Sequence, residues 1–177
     1  MKTLLYVIAI AMLVSSVSFA QTGQSQTNTA TFVVSQAISI TALPGDFGEL
    51  LAGTVYTVTP DGSIAPDNGL GSVIPIEWDI TGQEDASVLI TFGLPSFFTS
   101  PGNAHVPYAV NAQSAGWAQA FITPNSSYNP IDPRVPSTIT LVGGAATVQL
   151  GGVLSVPATA NGIYTAQFIL TASYTGL

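Results

Sequence analysis

The 177-residue chain has no cysteine, one histidine, and only Lys2 and Arg134 to set against nine acidic residues. Without thiols there is no disulfide, no thiolate metal site and no cysteine nucleophile, so durability has to come from packing and strand pairing. Clustered Lys or Arg is what displaces counterions from nucleic acid or holds an anionic lipid surface, and its absence makes both poor partners. His105 has no second histidine and no Ser-His-Asp pattern around it, which argues against a metal centre and a catalytic triad; in His105-Val106-Pro107 it reads as a solvated loop residue. Charged residues make up 6% of the chain, where about a quarter is usual. Solvent-facing positions therefore fall to Thr, Ser, Asn, Gln and Gly, a surface suited to being covered by copies of itself.

The one long apolar run, residues 4–14, follows Lys2 and precedes Ser18-Phe19-Ala20. A short positive region, an apolar core and small residues at the cleavage point make a secretory signal, and the run is too short to span a membrane. Residues 1–20 are expected to be removed and the protein to be secreted, extracellular or at the cell surface, with no membrane insertion. The remaining 157 residues suffice for one domain with a sizeable core. Losing Lys2 takes the formal charge from −7 to −8 and leaves no lysine for a Lys–Asn isopeptide staple.

What is present is alternation. Tyr164, Ala166, Phe168, Leu170, Ala172 and Tyr174 fall on one face of a closing strand, with Thr165, Gln167, Thr171 and Ser173 opposite and Ile163 and Ile169 as exceptions on that second face. Tyr164, Phe168, Leu170 and Tyr174 are its expected core residues. Asn161-Gly162 supplies a tight turn, and the run at residues 148–156 is the expected hairpin partner. Near the other end, Phe32, Val34, Ile38, Ile40 and Ala42 share a face interrupted by Gln36, after a polar, flexible tail at residues 21–30. Between them lie candidate strands at residues 54–59, 72–80, 87–92, 108–112, 118–122, 137–142 and 146–150, broken by Gly, Pro and Asn turns. Residues 93–106 read as a loop, and residues 123–136, with four prolines, as a surface loop or extended arm. About nine short strands without an amphipathic helix indicate an all-β, antiparallel sandwich occupying residues 31–177.

Few residues suggest chemistry. Asp61-Gly62-Ser63 with Asp67-Asn68-Gly69 offers hard oxygens, but the spacing departs from a twelve-residue calcium loop and ordinary turn chemistry is the better reading. Glu77 and Asp79 share one strand face, whereas paired glycosidase carboxylates usually come from different strands, so an exposed edge is expected. Trp78, Trp117, Tyr108 and Tyr128 suit a sugar platform or a core, with core favoured for the tryptophans. Asn125-Ser126-Ser127 fits a glycosylation sequon but reads as a turn. No cofactor, metal or catalytic activity is expected.

Two stretches carry a resemblance. Ile40-Thr41-Ala42-Leu43 leading into Phe47-Gly48-Glu49-Leu50-Leu51-Ala52-Gly53-Thr54-Val55 and Val58-Thr59-Pro60-Asp61-Gly62 resembles the opening of an uncharacterised bacterial family of secreted, pilin-like β-sandwich domains. Gly162-Ile163-Tyr164 with Phe168, Leu170 and Tyr174 is similar to the final strand of that family and of the related spore-coat-U and chaperone–usher fimbrial subunits. The resemblance implies an incomplete immunoglobulin-like sandwich whose missing strand is donated by a neighbouring copy. Residues 30–42 would be the donor, inserting Phe32, Val34, Ile38 and Ile40. The expected function is a structural subunit of an extracellular filament or matrix, a homopolymer served by a periplasmic chaperone and outer-membrane usher. The alternative is a monomeric secreted adhesin or carbohydrate-binding sandwich.

Overall fold

Period-two alternation becomes pleated strand throughout the computed structural model, which describes residues 35–67, 71–110, 118–122 and 127–176, with 118–122, 127 and 128 described through their backbone. In chain order the strands are β1 (Ser39–Leu43), β2 (Val55–Val58), β3 (Ile64–Ala65), β4 (Ile76–Thr81), β5 (Ser87–Gly93), β6 (Phe97–Thr99), β7 (His105–Ala109), β8 (Ala118–Ile122), β9 (Ser127–Ile131), β10 (Ser137–Thr140), β11 (Ala145–Leu150), β12 (Gly152–Ser155) and β13 (Ile169–Tyr174). A single 3₁₀ turn at Val142–Gly144 is the one helical element among the described residues. Every ladder is antiparallel.

One sheet runs β1-β4-β11-β8-β9, and two others, β10-β5-β13 and β3-β2-β12-β7-β6, supply the opposing layer. The strand faces explain why the layers close. In β4, Ile76, Trp78 and Ile80 are buried while Glu77 and Asp79 between them are half-exposed. In β11, Ala146, Val148 and Leu150 are buried and Thr147 and Gln149 are not. These inner residues join Tyr56, Val58, Val88, Ile90, Tyr108 and Leu154 in one hydrophobic core. Trp78 meets Phe92 edge-on across it, with ring centroids 5.9 Å apart. The expected all-β antiparallel sandwich is what the chain forms.

Three local expectations are corrected. Residues 148–156 are not the hairpin partner of the closing strand. The run divides at Gly151 into β11 and β12, which lie in different sheets, and β13 pairs instead with β5, Ile169 opposite Gly93 and Tyr174 opposite Val88. The corner where it divides is close-packed: a Cβ at Gly151 would lie 2.2 Å from the Val58 carbonyl oxygen, and one at Gly152 would lie 2.2 Å from Cε2 of Tyr108. Only bare backbone passes this corner, and Tyr108 Oη donates a 2.7 Å hydrogen bond to the Gly151 carbonyl inside it.

The Gly- and Pro-rich stretch at residues 93–106 contains β6, and His105 opens β7. Residues 123–136 contain β9. Pro130 is tolerated there because, among the described residues, β9 pairs only with β8 and stands at the edge of its sheet, where a missing N–H interrupts no second ladder.

Tyr108→Phe removes the one polar atom of that ring and leaves the buried Gly151 carbonyl without its donor. The unfolding free energy is expected to fall by about 1–3 kcal/mol. Urea denaturation with an unchanged m-value would register it.

Candidate functional site

The residues singled out for chemistry do not converge. His105 is exposed and lies over Phe97, ring centroids 4.2 Å apart, with Thr99 Oγ1 3.4 Å from Nδ1. The Asp61 carboxylate organises its own turn: the Thr59 hydroxyl donates to it, as does the Ser63 N–H at 3.0 Å, and these bonds, the Thr59 one first, hold its pKa below the ordinary value. No group of three or more His, Cys, Asp or Glu among the described residues could hold a metal. Glu77 and Asp79 lie not on an exposed edge but on β4, which is laddered on both sides by β1 and β11; Glu77 accepts from Gln149 Nε2 and Asp79 from Thr147 Oγ1, each at 2.7 Å, so both carboxylates are bound into the outer face of the sheet.

Trp78 and Tyr108 are buried, with 3% and 5% of their surface exposed, and burial pushes the Tyr108 phenol pKa well up. Trp117 and Asn125-Ser126 lie outside the described residues, and Tyr128 is placed only by its register opposite Phe121. Arg134 forks onto Asp132 through Nε at 2.8 Å and Nη2 at 2.6 Å, which brings the Asp132 pKa down to about 2. That pair closes an exposed turn, and Arg134 is the one Lys or Arg among the described residues.

The feature with room for a partner is a groove. It has a volume of about 1170 Å³ and runs between residues 42–50, the end of β1 and the loop after it, and residues 160–169, the approach to β13 and its first residue. Its floor reaches Trp78, Phe98, Val106, Leu154 and Val156. Sheet order explains its position. β1 is the last strand of one layer and β13 the last strand of its ladder in the other, so both present an edge that carries no ladder among the described residues.

The predicted long closing strand is laddered only from Ile169 onward. Before that, Thr165 exchanges two backbone bonds with Thr99, at 2.9 and 3.0 Å, and this isolated bridge is the one strand pairing of that part among the described residues. Alternation nevertheless persists through the unladdered part: Tyr164, Ala166 and Phe168 turn partly inward, while Thr165 and Gln167 are exposed. Phe168 packs on Tyr108 and Phe98 at 5.1 and 5.8 Å. Leu170 is buried, and Tyr174 is partly buried at the far end of β13. Large apolar side chains stand at the rim, with Leu43, Ile169 and Ile163 exposed by 41%, 60% and 78%. The two isoleucines that broke the sequence pattern were the signal for this rim.

Of the expected donor residues, Phe32 and Val34 lie outside the described residues. Ile38 and Ile40 are partly buried against the chain's own core, and β1 is laddered to β4 from Ser39 to Leu43. The ends of β1 differ. Gln36 sits beside Tyr174, whose hydroxyl donates to its carbonyl at 2.7 Å, while residues 42–50 line the groove. Six residues at about 3.3 Å each put these two places about 20 Å apart. No family model matches the chain, and no curated protein matches it.

Proposed function

We propose that the protein is a secreted structural subunit that polymerises into an extracellular filament or matrix, its N-terminal segment inserting as a strand into the groove of the next copy. The observation that carries this reading is the groove at one end of the sandwich, between the first and last strands, combined with the start of β1 at the other end. A strand laid along residues 163–168 would meet backbone whose one bridge is that of Thr165 to Thr99, and an apolar floor, and strand addition uses both: the ladder supplies affinity and alternate side chains fill the floor. Residues 21–34 extend up to about 46 Å. That is enough to run the length of a neighbour's groove, with Phe32 and Val34, four and two residues before Gln36, entering where the groove abuts the root. Ile38 and Ile40 then serve as the root of the donor rather than as its inserted part.

A contact in which one end of a copy fills the opposite end of the next does not close on itself, so it propagates. It also covers apolar edges that otherwise invite uncontrolled pairing. The immunoglobulin-like completion and an export pathway with chaperone and usher belong to the same proposal. So does the low charge of the chain, which lets faces come together with little carboxylate to desolvate.

The test uses the chain from Gln21 to Leu177. Light scattering and negative-stain microscopy are expected to show ladders or fibres, and the double change Phe32→Asp with Val34→Asp to abolish them while the circular dichroism of the domain is kept. A clean monomer from the unaltered chain would sink the reading in favour of a monomeric adhesin. A double variant that unfolds would place the segment in its own core.

A further inference from the structure

We infer that the outer face of the β10-β5-β13 sheet is a lateral contact, through which a copy in one filament packs against the same face of a copy in the next. The inference rests on the filament reading and concerns how filaments join side by side.

Filling the groove leaves part of the apolar surface bare. A strand added at the edge lies beside residues 163–175 within the sheet and does not cross their outer face. The odd-numbered residues from Ile163 to Thr175 point outward and all are exposed, Ile163 by 78% and Ile169 by 60%. Strand register carries this face across β5 and β10. Leu89 lies between Thr138 and Ser173, and Thr91 donates a 3.0 Å hydrogen bond to the Thr171 hydroxyl. None of these residues is charged. The nine acidic residues and Arg134 all lie off the face: Glu84 and Asp85 sit in the turn before β5, and Asp132 and Arg134 between β9 and β10.

That distribution of charge selects the partner. The other layer presents Glu77 and Asp79 on the outer side of β4. Two copies meeting there would oppose four carboxylates, and burying them against any other face of a copy would leave them without a cation, because Arg134 already forks onto Asp132. The uncharged face meets itself at no such cost. A two-fold contact of this kind brings a residue near its middle, such as Thr171, close to its own counterpart. Area sets the strength. Residues 163–175 at about 3.3 Å each, by three strands about 4.8 Å apart, span about 600 Å², below the roughly 800 Å² per partner of a stable pair. Single copies therefore stay apart, whereas filaments repeat the contact at every subunit and gain by avidity.

The test uses filaments of the chain from Gln21 to Leu177, viewed by negative-stain and fluorescence microscopy. Parent filaments are expected to lie in pairs or bundles. Thr171→Asp and Thr171→Lys, each alone, are expected to lower the bundled fraction roughly tenfold or more, since like charges face each other at every repeat. An equimolar mixture of the two, each carrying its own fluorescent label, is expected to bundle again with both labels in one bundle. Ser173→Asp and Ser173→Lys repeat the exchange on the neighbouring row should a Thr171 variant fold poorly. Parent-level bundling by either variant alone overturns the lateral face, as do parent filaments that never bundle, and the filament reading survives both. Single variants that stop bundling and are not restored by mixing show that the face meets a different surface, which overturns the self-contact. No filament from the parent chain overturns the filament reading, and this inference with it.

Discussion

Gly151→Ala is expected to be among the most damaging single substitutions in the protein, with an unfolding free energy lower by about 3 kcal/mol or more. The added methyl would sit 2.2 Å from the Val58 carbonyl oxygen, 2.8 Å from the Thr59 carbonyl carbon and 3.0 Å from the Pro60 nitrogen. All three are backbone atoms, so no side-chain rotation relieves the overlap. The strand that turns from one sheet into the other would have to move, and with it the Tyr108 hydroxyl that donates to Gly151. Thermal unfolding followed by circular dichroism reads the result. Gly102→Ala, whose methyl would meet nothing nearer than the Ser100 hydroxyl at 3.9 Å, is the matched control, expected to stay within about 0.5 kcal/mol. Equal stability of the two variants would mean that the corner is not the constraint described.

Phe168→Asp has the next largest expected effect, because Phe168 serves the core and the groove together. Its ring fills the angle between Tyr108 and Phe98. Replacing it removes an aromatic contact worth about 3–5 kcal/mol when fully buried and points a carboxylate at an apolar floor with no basic residue among its lining side chains. Folded, soluble protein is expected to be lost or severely reduced, and any remnant to take up no added peptide spanning residues 22–34. Thr171→Asp changes the exposed face of the same strand, where Thr171 accepts a 3.0 Å hydrogen bond from Thr91, and is expected to cost about 1 kcal/mol or less. If both changes damaged the protein equally, the one-faced burial of this segment would be wrong.

Much of the fold was legible because side-chain alternation is a local property of the pleat. It depends only on successive Cβ atoms pointing to opposite faces. β2, β4, β5 and β11 lie where their patterns predicted, and Trp78 and Tyr108 went to the core. The inward set from Tyr164 to Tyr174 held even where no ladder supports it. β6 and β9 were missed because proline and glycine dominate their surroundings, and edge position, which excuses a proline, is not a local property.

The candidate site was legible by half. Ile163 and Ile169 on a polar face pointed to an exposed apolar rim. The groove's floor, by contrast, combines β4, β6, β7 and β12, which no periodicity connects. Nor does any pattern distinguish the hydroxyl of Tyr174, which bonds Gln36 and Gln83, from that of any other inward tyrosine.

Composition and periodicity alone were enough to indicate an all-β chain without thiol chemistry, and to say which side of each main strand meets the core. Partner choice was beyond them. The hydrogen bonds of a ladder are made by backbone and are nearly blind to side chain, and closing a longer loop adds little entropy cost. The near run at residues 148–156 and the distant β5 were therefore both open to the last strand. Sheet order decided between them: β11 carries β4 and β8 and β12 carries β2 and β7, one neighbour on each side, whereas β5 carries β10 on one side and has the other for β13, and that occupancy exists only once the layers are in place.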